Sequence, residues 1–224
     1  MKISILTLFP EMFKGPFDSS IIKRAKEKKL VDISYVNIRD FGIGKHKLVD
    51  DTPYGGGNGM VLRVDVLEKA ISKTRDKKFK KTEEKVILLS AHGKTFQQKD
   101  AENFAKLKHL ILICGHYEGF DERIKKYVDG EVSVGDFVLT GGEIPAMLVT
   151  DSVLRLIKGV LKEGSAAFES FSPLLEHPQF TKPQVYKNAG VPEVLLSGDH
   201  KKINEWRNKK AHEITAKLRP DLIK

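Results

Sequence analysis

Four stretches of this 224-residue chain concentrate glycine beside groups able to bind or react. They are TPYGGGNGM (52–60), SAHGK (90–94), CGHYEGFDERI (114–124) and SVGDFVLTGGEIPAM (133–147). Three of the four follow or interrupt an apolar run that reads as a strand. In an open α/β sheet, ligands bind outside the carboxyl ends of the strands. Ser90–Gly93, Gly115–Gly119 and Val134–Gly142 are therefore placed to converge on one pocket. Glycine lets backbone N–H and C=O groups approach a ligand closely, so amides in such loops can read an adenine edge without using side chains. One loop of this kind is more often a plain turn; three at successive strand ends favour a pocket.

The side chains near these loops divide into bland and reactive readings. In GHYEGFDER, Glu118, Asp121, Glu122 and Arg123 follow Tyr117 and suit a charged turn as well as a site. Cys114 ends an apolar run and reads as core, and His116 reads as a satisfied loop histidine more readily than as a catalyst. Asp151 and Arg155 have the i,i+4 spacing of a helix-stabilising pair, although Arg155 can also project toward the pocket because its helix begins just after TGGE. Glu169, in a segment of small and polar residues, reads on its own as a solvated carboxylate.

Several chemistries are excluded. The chain has no GxxxxGK[ST], HExxH, paired CxxC or GxSxG, and its seven histidines lack ligand spacing, so no metal ligands are assigned. The first strand leads into PEMFKG rather than GxGxxG, which excludes the ordinary dinucleotide site.

These loops need a scaffold. Apolar runs at 3–9, 31–38, 86–90 and 110–114 read as strands. Helical patterns cover 17–29 (opening near Asp18 or Ser19), 64–75, 97–107 and 144–160, the last a long amphipathic helix. The alternation predicts an α/β fold with helices on both faces of a largely parallel sheet. The texture changes at LKEGSAAFESFSP, which reads as a linker. The expected layout is a main domain over 1–160, a flexible linker over 161–172 and a helical C-terminal domain over 173–224.

Forty per cent of the residues are hydrophobic and 31% charged, with mean hydropathy −0.31, which excludes collagen-like and disordered chains. No apolar run suits a membrane span, and the single cysteine, Cys114, points to a reducing cytoplasm. The net charge of +9 is clustered: residues 23–29 carry +4, and residues 69–85 and 200–224 carry +5 each. Localised positive charge suits a polyanion such as nucleic acid.

DDTPYGGGNGM, LLSAHGK, ICGHYEGFDERI, VSVGDFVLTGGEIPAM, DSVLR, LLEHPQFTKP and VPEVLLSGDH, in this order, resemble the bacterial tRNA (guanine-N1)-methyltransferases that modify the guanine at position 37, beside the anticodon. The resemblance runs from residue 1 to about 220. It implies a SPOUT-type domain with a deep trefoil knot, a small helical C-terminal domain that helps clamp tRNA, and a homodimer whose sites draw on both subunits. It implies S-adenosylmethionine as methyl donor, magnesium as an activator, and the tRNA anticodon stem-loop, rather than DNA or a membrane, as partner.

Carried over residue by residue, the donor contacts fall on Leu89 and Ser90, on Gly115, Tyr117 and Glu118, on Ser133, Val134, Gly135, Asp136, Phe137, Val138 and Leu139, and on Gly141, Gly142 and Pro145. The family's catalytic arginine falls on Arg155 and its catalytic aspartate on Glu169. Glu169 is a departure: one extra methylene alters the reach by ~1.5 Å, a scale on which misplacement can cost ~100-fold in rate. Phe137 stands where tyrosine is common, and Gln179 and Lys182 where histidine and arginine are. The rival readings are an RNA-binding protein that kept this fold without catalysis, and a methyltransferase acting on a different RNA.

Overall fold

The computed structural model describes residues 1–164 and 169–223. They divide into two compact units, Met1–Lys162 and Glu163–Lys224.

The first unit is built on strands β1 (Lys2–Thr7), β2 (Asp32–Asn37), β5 (Glu84–Thr95), β6 (His109–Cys114) and β7 (Gly130–Ser133), with a short antiparallel pair, β3 (Asp50–Asp51) and β4 (Val61–Leu62), outside the sheet. The sheet order is β2-β1-β6-β5-β7 and every pairing in it is parallel. Helices α1 (Ser20–Glu27), α2 (Val64–Thr74), α3 (Gln98–Ala105) and α4 (Glu143–Leu154) cover it.

The apolar runs fold this way because both faces of a parallel sheet are buried. Along β6, Leu110, Leu112 and Cys114 enter one core while Ile111 and Ile113 enter the other. Along β5, Ile87 and Leu89 oppose Val86 and Leu88 in the same manner. The first core takes Ala25 of α1, Ala101 of α3, and Ala146, Val149 and Val153 of α4. The second takes Val66, Leu67, Ala70 and Ile71 of α2. Each fully buried Leu, Ile or Val contributes roughly 1.5–3 kcal/mol relative to exposure, so the strands are fixed on both sides.

A polar network ties the amino ends of the strands. His109, fully buried, places Nδ1 2.7 Å from Glu84 Oε2 and Nε2 2.9 Å from Ser4 Oγ. Arg75 spans Glu84 and Asp129 at 3.2 and 3.1 Å. This is the end of the sheet away from the glycine loops.

Two boundaries depart furthest from the sequence reading. The helix expected over 144–160 ends at Leu154, with Arg155 as its C-terminal cap. Leu156, Ile157 and Val160 keep helical apolar spacing and still pack on the first core, but the chain turns there and passes Gly159 at φ +89°. Nor is α4 amphipathic: Glu143, Pro145, Ala146, Val149, Thr150, Val153 and Leu154 are all buried, whereas Ile144 and Leu148 are exposed. The strand expected to end at Ser90 runs on to Thr95, with an irregularity between Leu89 and Lys94.

In the second unit, Asp199 caps α6 (His200–Leu218), its carboxylate accepting from the N–H groups of Lys201 and Lys202 at 3.1 and 3.2 Å. A two-residue hairpin, β8 (Val185–Tyr186) with β9 (Ala189–Gly190), and a short α5 (Glu193–Leu196) precede it. Thr215 donates to Ala211 O at 2.6 Å and accepts from Leu175 N–H at 3.0 Å. Trp206 meets the rings of His177 and Phe180 at 6.4 and 6.2 Å.

Candidate active site

The carboxyl ends of β5, β6 and β7 stand side by side, since Leu89 pairs with Cys114 on one flank and with Val132 on the other. The loops leaving those ends enclose a cavity of about 340 Å³. From the first, Leu89 and Ser90 line it; from the second, Gly115, Tyr117 and Glu118; from the third, Ser133, Val134, Gly135, Phe137, Val138 and Leu139, then Gly141, Gly142 and Pro145. Asp136 lies on the third loop and is not among the lining residues. The pocket predicted from glycine clusters at successive strand ends is therefore present.

The glycines are there because backbone passes too close for a side chain. A Cβ on Gly142 would lie 2.5 Å from Cys114 Cα, and one on Gly93 would lie 2.4 Å from Val132 N. Gly142 N–H donates to Gly115 O at 2.8 Å, joining the third loop to the second. Tyr117 itself sits in the left-handed region, at φ +59°, an uncommon conformation for a bulky residue that is often found at binding sites.

The fourth cluster, DDTPYGGGNGM, which sequence left outside the pocket, abuts its wall. Glu118 N–H donates to Met60 O at 3.0 Å. Leu62 and Phe120 form a parallel bridge, and a Cβ on Gly59 would meet the Glu118 side chain at 2.5 Å. Further along, Asp121 and Arg123 are paired at 2.6 Å, and the guanidinium holds the Asp121 carboxyl below its usual range. Burial pushes the Cys114 thiol well up, which suits core rather than a nucleophile.

His116 is satisfied, as expected of a loop histidine, but its partner was not foreseen. Its Nε2 lies 2.7 Å from Glu143 Oε2, and Thr7 Oγ1 donates to Glu143 Oε1 at 2.5 Å. Glu143 is 1% exposed, at the first position of α4. A carboxylate set between two glycines and the apolar run IPAMLV was the available signal in TGGEIPAM.

Arg155 caps α4, its N–H donating to Asp151 O at 3.2 Å. It is outside the cavity lining. Glu169 belongs to the second unit, and Ser165–Phe168, just before it, lie outside the described residues.

A family model described as tRNA (Guanine-1)-methyltransferase TrmD matches residues 1–224. The chain belongs to this family. A tRNA (guanine-N(1)-)-methyltransferase from Dictyoglomus turgidum is 52% identical over the whole chain and 90% of its own length. Proteins of the same description from Bacillus subtilis and Endomicrobium trichonymphae are 53% and 48% identical, each over the whole chain and over 93% and 100% of their own lengths. Membership in the tRNA (guanine-1)-methyltransferase family spans both units, so it covers the cavity and the basic α6 alike.

Proposed function

We propose that this protein transfers the methyl group of S-adenosylmethionine to N1 of the guanine at position 37 of tRNA. The observation that carries the reading is the convergence of three strand-end loops on one cavity, in a chain that belongs to a tRNA (guanine-1)-methyltransferase family.

The cavity suits the donor. Its volume lies within the range of small-molecule sites. Leu89, Val134, Leu139 and Pro145 offer apolar walls for a purine, and Ser90, Ser133 and the loop amides offer polar partners. At Gly115 and Gly141 a Cβ would meet the Phe120 and His116 side chains at 2.9 and 2.4 Å, so glycine lets the second and third loops close tightly around the cavity. Glu118 adds a carboxylate facing an ammonium or sulfonium. When bound, S-adenosylmethionine would supply an electrophilic methyl group, its S–C bond breaking to leave the neutral thioether S-adenosylhomocysteine.

The chain's own groups do the rest. Guanine N1 carries a proton at neutral pH, and Glu169 accepts it as the new N–C bond forms. Negative charge grows on guanine O6, and the Arg155 guanidinium stabilises it. The target base is drawn from its stack to reach the site, and holding it roughly 3 Å from the methyl carbon supplies much of the remaining acceleration. Basic stretches at 23–29, 69–85 and 200–224 grip phosphates, and loops read the anticodon-stem shape.

The finer architecture is part of the same proposal. A knot is supported by the path after β7: the third loop leaves the edge strand, crosses the end of β5 and packs Gly142 on Cys114 at the end of β6. A homodimer is supported by exposed apolar side chains at Phe137, Val138, Ile144 and Leu148, a cluster that a second copy would cover. We take 161–172 as the linker and 173–224 as the tRNA-binding domain, working in the cytoplasm. Magnesium enters only as an activator; among the described residues no group of His, Cys, Asp and Glu side chains is placed to hold an ion. Among them, too, no helix is long and apolar enough to cross a membrane.

The test is a Glu169 series on a tRNA transcript with nucleoside mass analysis. Glu169→Gln keeps donor binding by calorimetry and nearly abolishes 1-methylguanosine formation; a Gln variant as fast as wild type removes the general base from this reading. Glu169→Asp reports whether the longer side chain is tuned to this site. A transcript with adenine at position 37 remains unmethylated.

A further inference from the structure

The Thr7–Glu143–His116 contact sits where three distant parts of the chain meet. Thr7 is the last residue of β1, His116 follows β6 by two residues, and Glu143 opens α4. Both carboxylate oxygens are engaged, Oε1 by the Thr7 hydroxyl and Oε2 by the imidazole Nε2. The Thr7 hydroxyl in turn accepts from Phe9 N–H at 2.9 Å, and the Phe9 ring stands edge-on to His116 at 4.9 Å. A carboxylate buried to this degree is costly unless paired. Here the imidazole, the hydroxyl and the amino end of α4 together offset that cost.

The contact is also fitted to the cavity wall. His116, Gly141 and Gly142 all line the cavity. A Cβ on Gly141 would lie 2.4 Å from His116 Cε1 and 2.7 Å from Glu143 Oε2, so the third loop is wrapped around the imidazole–carboxylate pair. Glu143 itself is not among the lining residues.

We propose that Glu143 is a positioning residue for donor binding: through His116 it locks the loop after β6 against the loop before α4, and so presets the cavity that holds S-adenosylmethionine. The inference rests on the donor reading above. Glu143 does not reach the reacting atoms. It fixes His116 with Nε2 toward the carboxyl group, and with it the backbone on either side. Weakening that contact lets the two loops drift, and the loss falls on ligand affinity rather than on the chemical step.

The test is calorimetry on the full-length protein with S-adenosylmethionine and with its demethylated product, S-adenosylhomocysteine, for wild type, Glu143→Gln, His116→Ala and the double variant. Each single variant weakens both ligands about tenfold and equally, because a misplaced wall does not distinguish them. The double variant is no weaker than the worse single one, because the two residues act as one unit. Steady-state rates show the same loss in the KM for the donor, with kcat at saturating donor within about threefold of wild type. Single variants that bind as wild type does, losses that multiply in the double variant, or a loss confined to the sulfonium ligand overturn the proposal. A wild-type protein that binds neither ligand overturns the donor reading itself, which separates the two failures. If Glu143→Gln does not fold, His116→Ala alone decides, by equal weakening of both ligands or by none.

Discussion

The two units solve the problem of stability differently. The first closes two apolar cores over a parallel sheet, with Ile3, Ile5, Leu110 and Leu112 fully buried in one and Leu6, Leu62, Val66 and Ile111 in the other. The second offers Ile203 as its buried apolar residue among those described. It relies on a capped helix, a threonine bridged to Leu175, ring edges around Trp206, and Arg219 lying over Phe171 at 5.7 Å. The contrast matches the tasks proposed for them. A cavity for a small donor needs walls held to fractions of an ångström. A polyanion grip needs charge that stays in water: on α6, Lys201, Arg207, Lys209 and Lys217 make no ion pair within 4 Å among the described residues, whereas Lys202 and Lys210 do.

Salt breaks the comparison most widely. If about four unbridged cations each neutralise a phosphate, tRNA affinity falls about 50-fold between 50 and 200 mM salt. Donor affinity, set mainly by close contacts within the cavity that salt screens less, changes less than about twofold over the same range. Filter binding for the tRNA and calorimetry for the donor measure the two slopes; parallel slopes would mean that the tRNA is not held chiefly by charge.

Core deletions come next. Leu112→Ala, at 0% exposure in β6, is expected to cost about 2–5 kcal/mol in urea unfolding followed by circular dichroism. Ile203→Ala costs less, about 1–3 kcal/mol, and is confined to the second unit. It appears as faster hydrogen exchange over 200–218 with the first unit's protection unaltered. Uniform loss of protection along the chain would show that the units unfold as one.

The first unit was the more legible of the two in sequence, for a physical reason. Fully buried parallel strands read as continuous apolar runs, and the runs at 110–114 and 31–38 match His109–Cys114 and Asp32–Asn37 to within a residue. The cavity was legible because Gly93 and Gly142 mark places where backbone meets backbone. Local pattern misled where tertiary packing took over. Leu156, Ile157 and Val160 satisfy helical spacing and are partly buried against the core, yet the helix ends at Leu154 and the chain turns past Gly159. The strand through Ser90–Thr95 was hidden because His92 and Gly93 read as a loop. Glu143 was missed because its partners, Thr7 and His116, are 136 and 27 residues away. No local periodicity encodes such a contact.

A smaller effect tests the sealed end of the first unit. His109 is held below its ordinary value of 6.5, first by burial, while Glu84 pulls the other way. Its folded state therefore takes up a proton less readily than the unfolded chain does. The stability this gives is fully present above the unfolded value and is lost as pH falls below about 6.5, by at most about 1.4 kcal/mol per pH unit for one proton. His109→Gln should be less stable at pH 7.5 yet show a flatter decline between pH 6.5 and 5.5, measured by urea midpoints. An unchanged decline would assign the acid sensitivity to the carboxylates instead.

The smallest effect concerns a flaw within the better-packed unit. Thr150 is fully buried in α4, and its hydroxyl finds no hydrogen-bond partner among the described residues. A buried hydroxyl left unsatisfied costs about 1–3 kcal/mol of desolvation. Thr150→Val keeps the branched shape and removes the orphan oxygen. The variant should be neutral or more stable by up to about 1 kcal/mol, with an unaltered urea m-value. A loss above about 1 kcal/mol would show that the hydroxyl is bonded after all, by water or by a second copy packed on α4. The exposed Ile144 and Leu148 on the same helix make the second source testable: if the loss of stability depends on protein concentration, the partner lies in the dimer, and if not, the oxygen is satisfied within one chain.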